Sequence, residues 1–540
     1  QTPRKRRPVA SGARRPQIVS KLHMGLVRNT LVQSSLTLGS RILGFARDVL
    51  IAAKIGAGPV SDAFVTALMF PNLFRRVLAE GAFSQAFVPL YARTLEAEGE
   101  DAARKVAEEA MRGLFAIAAA VVIAAEIAMP WIMRALHGGY IDDPVHFPLA
   151  ITLTQITMPY LACMALSALL AGVLNSAGRF VLSAGAPTLL NICLIGAALL
   201  GDTPWRTAHL AAGAVTLAGV LQAALLWWGV SRQGVRLSLG FPTLTPSVKR
   251  VAALAIPGVI AASGVQINIL VSQALASFEQ GAKSWLFYAD RLYQLPLGLV
   301  GIAIGVAILP RLSKAARSDD KASGTRLMDD GIGLAMALTL PAAAALMVAP
   351  SFLVEGLYAR GAFALSDAER AGDALIHYGW GVPAFVLIKV LAPAFFARED
   401  TVTPMRFALA SVFVNTVLGA GLFFWLRSSG ALGYTGLAVA TSVAAWINVA
   451  LLVGALMAKD IYRPGARLAF RLAGALAASI AMAFALAFML RERVRLEVLM
   501  PGGTLSEAVA FVATGGLIYA VAAILFGAVR VSDLRGAMRR

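Results

Sequence analysis

Leu114-Phe115-Ala116-Ile117-Ala118-Ala119-Ala120-Val121-Val122-Ile123-Ala124-Ala125-Glu126-Ile127-Ala128-Met129-Pro130-Trp131-Ile132-Met133 is an apolar run broken by one charge, Glu126. As an α-helix it reaches about 30 Å, the thickness of a bilayer's hydrocarbon core. Outward from it, similar runs predict about fourteen membrane spans, near 29–54, 62–92, 109–135, 148–176, 182–200, 207–230, 250–278, 284–310, 328–357, 372–397, 404–426, 434–457, 467–490 and 505–529. The whole chain of 540 residues is 58% hydrophobic and 14% charged, with a mean hydropathy of +0.72. A soluble domain is about 45–50% apolar and about 25% charged, and a folded protein this size still exposes too much surface to hide such an excess. The expected fold class is an all-α polytopic membrane protein.

The net charge of +18 would suggest nucleic acid in a soluble protein. Here the basic residues cluster in short segments between apolar runs, so no nucleic-acid partner is expected. With the N-terminus inside, inner loops and tails hold roughly 30 Lys and Arg against roughly 10 outside, which places both termini in the cytoplasm. Arg491, Arg493 and Arg495 are the exception on the outer side. Residues 1–28 read as a basic cytoplasmic tail beside anionic headgroups, with no cleavage site after it. Cys163 and Cys193 lie inside apolar runs and make neither a disulfide framework nor a metal site.

An internal repeat divides the chain. Pro159 and Pro383 lie 224 positions apart, and Asn191 and Asn415 follow them by the same 32 residues. Pro89 and Pro310 are 221 apart. Two six-helix lobes related as parallel repeats are expected at 29–232 and 248–457, with spans 13 and 14 at 466–530 as an appendage and a short cytoplasmic tail at 531–540.

The charges inside the first two spans carry the chemistry. Arg41, Arg47 and Asp48 lie in the first; Asp62, Arg75, Arg76 and Glu80 lie in the second. A charge in a bilayer costs about 2.5–3.5 kcal/mol on insertion scales, so each needs a partner or a wet cavity. Arg41 and Asp48 share a helix face, and Arg76 can pair with Glu80 four residues on. Some of the arginines are expected to remain for an anion, because guanidinium groups match phosphate oxygens through paired donors. Asp290-Arg291 opens the eighth span and can close on that anion from the opposite lobe. Gly298, Gly301 and Gly305 follow it as small packing residues. Glu126 and Lys389 are further isolated charges, and Gln266, Asn268, Gln273, Asn415, Thr441 and Asn448 offer oxygens to a coupling cation or bridges between helices.

The chain lacks G-x-x-x-x-G-K-[ST], H-E-x-x-H and any Cys/His ligand cluster, and its five histidines are scattered. No cofactor or resident metal is expected. Transport would draw on a Na+ or H+ gradient, the membrane potential or downstream use of product.

Ser40-Arg41-Ile42-Leu43-Gly44-Phe45-Ala46-Arg47-Asp48, Ser61-Asp62-Ala63-Phe64, Pro71-Asn72-Leu73-Phe74-Arg75-Arg76-Val77-Leu78-Ala79-Glu80-Gly81-Ala82-Phe83 and Ala289-Asp290-Arg291-Leu292-Tyr293-Gln294-Leu295-Pro296-Leu297-Gly298 resemble the lipid II flippase MurJ (MviN) family, within the multidrug/oligosaccharidyl-lipid/polysaccharide exporter superfamily. The resemblance implies a bacterial inner-membrane protein, not an enzyme. It implies outward transfer of undecaprenyl-diphosphate-linked MurNAc-pentapeptide-GlcNAc for peptidoglycan synthesis, by alternating access around a cationic central cavity. It implies Arg41, Arg47, Arg75, Arg291 and Asp62 as the substrate-binding charges, with Asp48, Arg76, Glu80 and Asp290 in support. It also implies a lipid-tail groove beside spans 13 and 14, with the bilayer, the lipid-linked precursor and the cell-wall synthesis machinery as partners. The extended basic tail before Met24 departs from the family, as does the lack of a carboxylate in spans 11 and 12, which argues against a sodium site there.

Two rival readings make distinct demands. An exporter of another lipid-linked oligosaccharide would share the cationic cavity, whereas an exporter of small cationic compounds would need an acidic one. A membrane glycan polymerase or ligase would need a reactive outer-loop acid, and Asp142, Asp143 and Asp367 have no evident partner in the sequence.

Overall fold

The computed structural model describes residues 39–78, 82–238, 240–243, 245–298, 312–315, 320–492 and 504–528. The expected tails 1–28 and 531–540, Glu80, Gly301, Gly305 and Pro310 lie outside the described residues, as do the side chains of Arg75 and Arg76.

Among the described residues the regular structure is helical and no strand occurs. In chain order the helices are α1 (39–55), α2 (Pro59–Leu78), α3 (Ala82–Glu98), α4 (Glu100–Leu136), α5 (His146–Thr157), α6 (Tyr160–Ser176), α7 (Phe180–Gly185), α8 (Thr188–Leu200), α9 (Pro204–Ser231), α10 (Pro246–Ala276), α11 (Ala282–Pro296), α12 (Lys321–Val348), α13 (Pro350–Tyr358), α14 (Leu365–Gly379), α15 (Val382–Phe396), α16 (Val402–Ser428), α17 (Gly433–Ala458), α18 (Ala466–Arg491) and α19 (Thr504–Leu525). Ten helical stretches among the described residues are long and apolar enough to cross a membrane. The other four expected spans fall on α1, on α2 with α3, on α10 and on α11. The first two carry the cluster of charges, and α10 and α11 are described only in part.

The outer surface is what a bilayer requires. Ile117, Ile123, Ile127 and Trp131 on α4 and Phe413, Val417, Phe424 and Trp425 on α16 are exposed. In water such a continuous apolar surface would drive association; lipid covers it at no cost. The most buried of the apolar stretches are two broken ones. His146–Ser176 is interrupted at Met158-Pro159 between α5 and α6, and Leu365–Phe396 at Trp380-Gly381 between α14 and α15. Proline stands at each restart, where the missing N–H is harmless: Pro159 caps α6 and Pro383 sits in the first turn of α15.

The apolar cores separate by halves of the sequence. Two clusters draw on residues between Ile51 and Leu237, one around Leu153 and Val215 and the other around Phe87 and Leu170. A third, around Met336 and Leu391, draws only on residues from Leu312 onward. A fourth, around Tyr288 and Leu375, is built mainly from the second half but takes in Ala52, with Phe45, Val49 and Ala57 of the first half packed against it. Helix α10 packs on α3 and α4 as well as on α16, and so ties the halves together. Helix α18 packs on α12 and α19, and α19 also meets α13.

Several helices start earlier than their apolar runs. Helix α4 begins at Glu100 rather than near 109, α12 at Lys321 rather than near 328, and α14 at Leu365 rather than near 372. These first turns are amphipathic. Ala103, Ala107 and Ala110 of α4 are buried at helical spacing while the charges between them face out. Glu100 and Asp101 also favour the start of the helix dipole. The expected span 182–200 is two helices, α7 and α8, hinged at Ala186-Pro187.

Candidate functional site

A cavity of about 330 Å3 lies between α2 of the first half and α10, α11, α14, α16 and α17 of the second. Among the described residues its charged lining is Asp290 and Arg291, and the rest are apolar or neutral polar side chains. Arg291 reaches from this wall toward α1. Its Nε lies 3.3 Å from Asp48 Oδ2, close enough for an ion pair although not aligned as a hydrogen bond. Its guanidinium carbon lies 4.5 Å from the centre of the Phe287 ring, a contact that orients the planar cation.

Asp48 is the hub. Arg47 donates to its Oδ1 from Nε at 2.9 Å and Nη2 at 2.7 Å, a paired fork. A third donor, Arg47 Nη1, reaches Asn191 Oδ1 at 2.9 Å, and Asn191 Nδ2 donates to the Ser40 carbonyl at 2.9 Å. One carboxylate therefore stands between two guanidinium groups, one from each half, and the trio keeps a net positive charge. Asp290, next to Arg291, accepts from Gln294 Nε2. Arg41 is exposed and has no carboxylate partner among the described residues. Its Nη1 occupies space that a Cβ on Gly298 would enter, at 2.7 Å. A side chain on Gly298 would therefore have to displace the end of Arg41, which lies between α1 and the continuation of α11.

Asp62 is placed elsewhere. It is fully buried at one end of the bundle, away from the cavity. Its carboxylate accepts from Tyr140 Oη at 2.7 Å, Gly281 N at 2.9 Å, Ser284 N at 2.9 Å and Ser284 Oγ at 2.6 Å. Three of these donors come from the start of α11, whose free N–H groups suit an anion. Beside it, the equally buried Lys283 donates to Thr66 Oγ1 at 2.9 Å, the Leu136 carbonyl at 2.7 Å and His137 Nδ1 at 2.9 Å. An ammonium has three protons, and all three reach acceptors on the other half. Tyr140 stacks on His137 with ring centres 4.4 Å apart.

The same end is closed by backbone. Ala362 N donates to the Ala53 carbonyl at 2.8 Å. A Cβ on Gly56 would stand 2.5 Å from the Ala362 carbonyl oxygen, and one on Gly361 would stand 2.2 Å from that of Ala53. Both glycines have positive φ, 78° and 60°, so the loops meet only because neither carries a side chain. In the loop above, hydrogen bonds from the His146 and Val145 backbone N–H groups, with the His146 ring at 2.7 Å, hold the Asp143 carboxyl down to about 2.

Of the residues that the sequence singles out, the structure brings together Arg47, Asp48 and Arg291, sets Asp290 beside them and Arg41 nearby, and separates Asp62. Arg75 and Arg76 lie on the backbone of α2, with side chains outside the described residues, and the pairing expected of Arg76 with Glu80 lies outside them too. Lys389 is exposed on α15, Glu126 is half-buried on α4, and neither lines the cavity. Gln266, Asn268, Gln273, Asn415 and Thr441 do line it; Asn448 does not. Lys283, Tyr140 and Ser284 had no sequence signal that set them apart, and Gly298 stood out only as a small packing residue. Asn191 had one, its shared offset with Asn415, although that offset spoke of a repeat rather than of an arginine partner.

Residues 51–500 match the family described as lipid II flippase MurJ. A probable lipid II flippase MurJ of Rhizobium tropici is 43% identical over 434 residues, covering 79% of this chain and 80% of its own length. The lipid II flippase MurJ of Burkholderia cenocepacia is 38% identical over 448 residues, 82% of this chain and 86% of its own. A solved lipid II flippase MurJ in an inward closed conformation has the same fold, with a TM-score of 0.74 over 92% of this chain and 98% of that one at 23% identity. A multidrug transporter of the MATE family in an inward-facing conformation aligns with a TM-score of 0.64 over 80% and 98% at 15% identity. With a family match over most of its length and relatives this close, the chain belongs to the lipid II flippase MurJ family.

Proposed function

We propose that this protein moves lipid II, the undecaprenyl-diphosphate-linked peptidoglycan precursor, from the inner to the outer leaflet of a bacterial inner membrane by alternating access. The observation that carries the reading is the Arg47–Asp48–Arg291 trio, because it brings two guanidinium groups, one from each half, onto a single carboxylate beside a cavity. A diphosphate offers more anionic oxygens than one carboxylate and can take both guanidinium groups at once. Arg41 on α1 and Arg75 on α2 add further cations.

The two lobes are spans 1–6 and 7–12 as parallel repeats. The segregated cores and the matching breaks in α5–α6 and α14–α15 support this division. Helices α18 and α19 form the appendage whose outer face borders the polyprenyl tail. The loops at the closed end are poor in Lys and Arg, and the helix ends and loops at the other end carry Arg104, Lys105, Arg232, Arg236, Lys249 and Arg250. The positive-inside rule then makes the closed end periplasmic, with both termini cytoplasmic. Asp62 and Lys283 act as the outer latch, and Asp62 serves transport through that contact rather than by touching the lipid.

Entry of a dianion replaces Asp48 on Arg291, cancels repulsion among the arginines and lets the inner side close. The outer latch then opens and releases the headgroup. An exporter of small cations would need the opposite sign of charge at the hub. The test is binding of undecaprenyl diphosphate by the purified chain: Arg291→Ala should weaken it at least tenfold, the scale of a lost charge-assisted hydrogen bond of about 1.5–3 kcal/mol. Equal affinity in the variant would remove the proposal.

A further inference from the structure

One wall of the cavity carries chemistry that the diphosphate does not use. Gln266 and Gln273 lie seven residues apart on one face of α10, with Asn268 beside them, and Asn415 of α16 and Thr441 of α17 complete the wall. These side chains are neutral, and each carboxamide presents a donor and an acceptor together. Gln273 Oε1 is buried and has no hydrogen-bond partner, although it lines the space. A buried acceptor left open costs free energy unless something meets it. Thr416 Oγ1 lies 3.0 Å from Asn268 Oδ1, with its one proton shared between that amide and the Val412 carbonyl at 2.9 Å. Tyr293 and Tyr378 also line the cavity, packed on each other with ring centres 4.8 Å apart.

We propose that this amide wall is the sugar subsite of the flippase: it receives the neutral N-acetylated disaccharide while Arg291 at its edge holds the diphosphate. The proposal rests on the diphosphate reading and deepens it. Hydroxyl and acetamido groups are paired donors and acceptors, as the carboxamides are, and a pyranose ring has apolar faces suited to the tyrosines. A charged peptide stem finds no counter-charges on this wall. A bare cation finds no free carboxylate there, since Asp290 is engaged by Gln294. The volume of about 330 Å3 stands at the low end of the roughly 300–1,000 Å3 typical of ligand sites.

The test uses the full chain in lipid nanodiscs and three probes: undecaprenyl diphosphate, the same carrier bearing the disaccharide without peptide, and complete lipid II. The variants are Gln273→Met, Gln266→Met and the pair. The double variant should lose about tenfold of the affinity advantage that both sugar-bearing lipids have over the bare carrier, the scale of two lost hydrogen bonds. Retained affinity for the bare carrier reports that the variants are folded. A loss confined to complete lipid II would assign the wall to the peptide and overturn the proposal. Equal losses for all three probes, or none, would overturn it as well. Arg291→Ala run in parallel should weaken all three; if it leaves the bare carrier untouched, the diphosphate reading fails, while the ratio between sugar-bearing and bare lipids still judges the wall.

Discussion

At the scale of single residues, a charge in an apolar run is conspicuous and its partner is not. Arg47, Asp48 and Arg291 stood out because insertion penalises each of them, and the structure joins them within 3.3 Å. Removing the shared carboxylate should then be worse than removing one arginine's bond, since two guanidinium groups lose their counter-charge. Asp48→Asn is expected to insert and accumulate but to transport at under a tenth of the normal rate, measured as outward exposure of lipid II in cells depleted of their own flippase. Gly298 makes a second, gentler prediction. In Gly298→Ala the new methyl meets only the far end of Arg41, so stability should change by less than about 1 kcal/mol while transport falls several-fold. Unchanged transport with a normal melting curve would detach Arg41 from the site. Lys283 and Tyr140 escaped the sequence reading because polar residues at helix ends are ordinary there; only the fold reveals that theirs are fully buried and face the other half.

At the scale of elements, the prolines were legible and the helix starts were not. Pro159 and Pro383 mark real breaks in the two most buried spans, because a proline restarts a helix wherever the preceding N–H bonding lapses. The early start of α4 was hidden, since Glu100–Arg112 is amphipathic and a hydropathy window reads it as a loop. The latch between α2 and α11 belongs to this scale. Asp62→Ala would strand the Tyr140 hydroxyl, the Gly281 and Ser284 N–H groups and the Ser284 hydroxyl. Each unsatisfied buried donor costs about 1–3 kcal/mol, so two of them suffice to shift a two-state population more than tenfold. Spin labels on Asp142→Cys and Arg360→Cys, one on each half, should report a longer and broader distance distribution in the Asp62→Ala background. A distribution identical to that with Asp62 present would mean that the latch does not hold this end shut.

At the scale of the molecule, the composition alone dictated helices in lipid, and the offsets between prolines and asparagines pointed to two halves. What composition could not convey is the asymmetry of the joint between them, tight and glycine-lined at one end and spacious beside α10 and α11. The most direct test is rescue of flippase-depleted cells with outward exposure of lipid II as the readout. The native chain should restore exposure, and Arg291→Ala or Arg47→Ala at the same membrane abundance should not. Full restoration by either variant would contradict the account, because the net positive charge shared between the halves would then have no part in carrying the lipid.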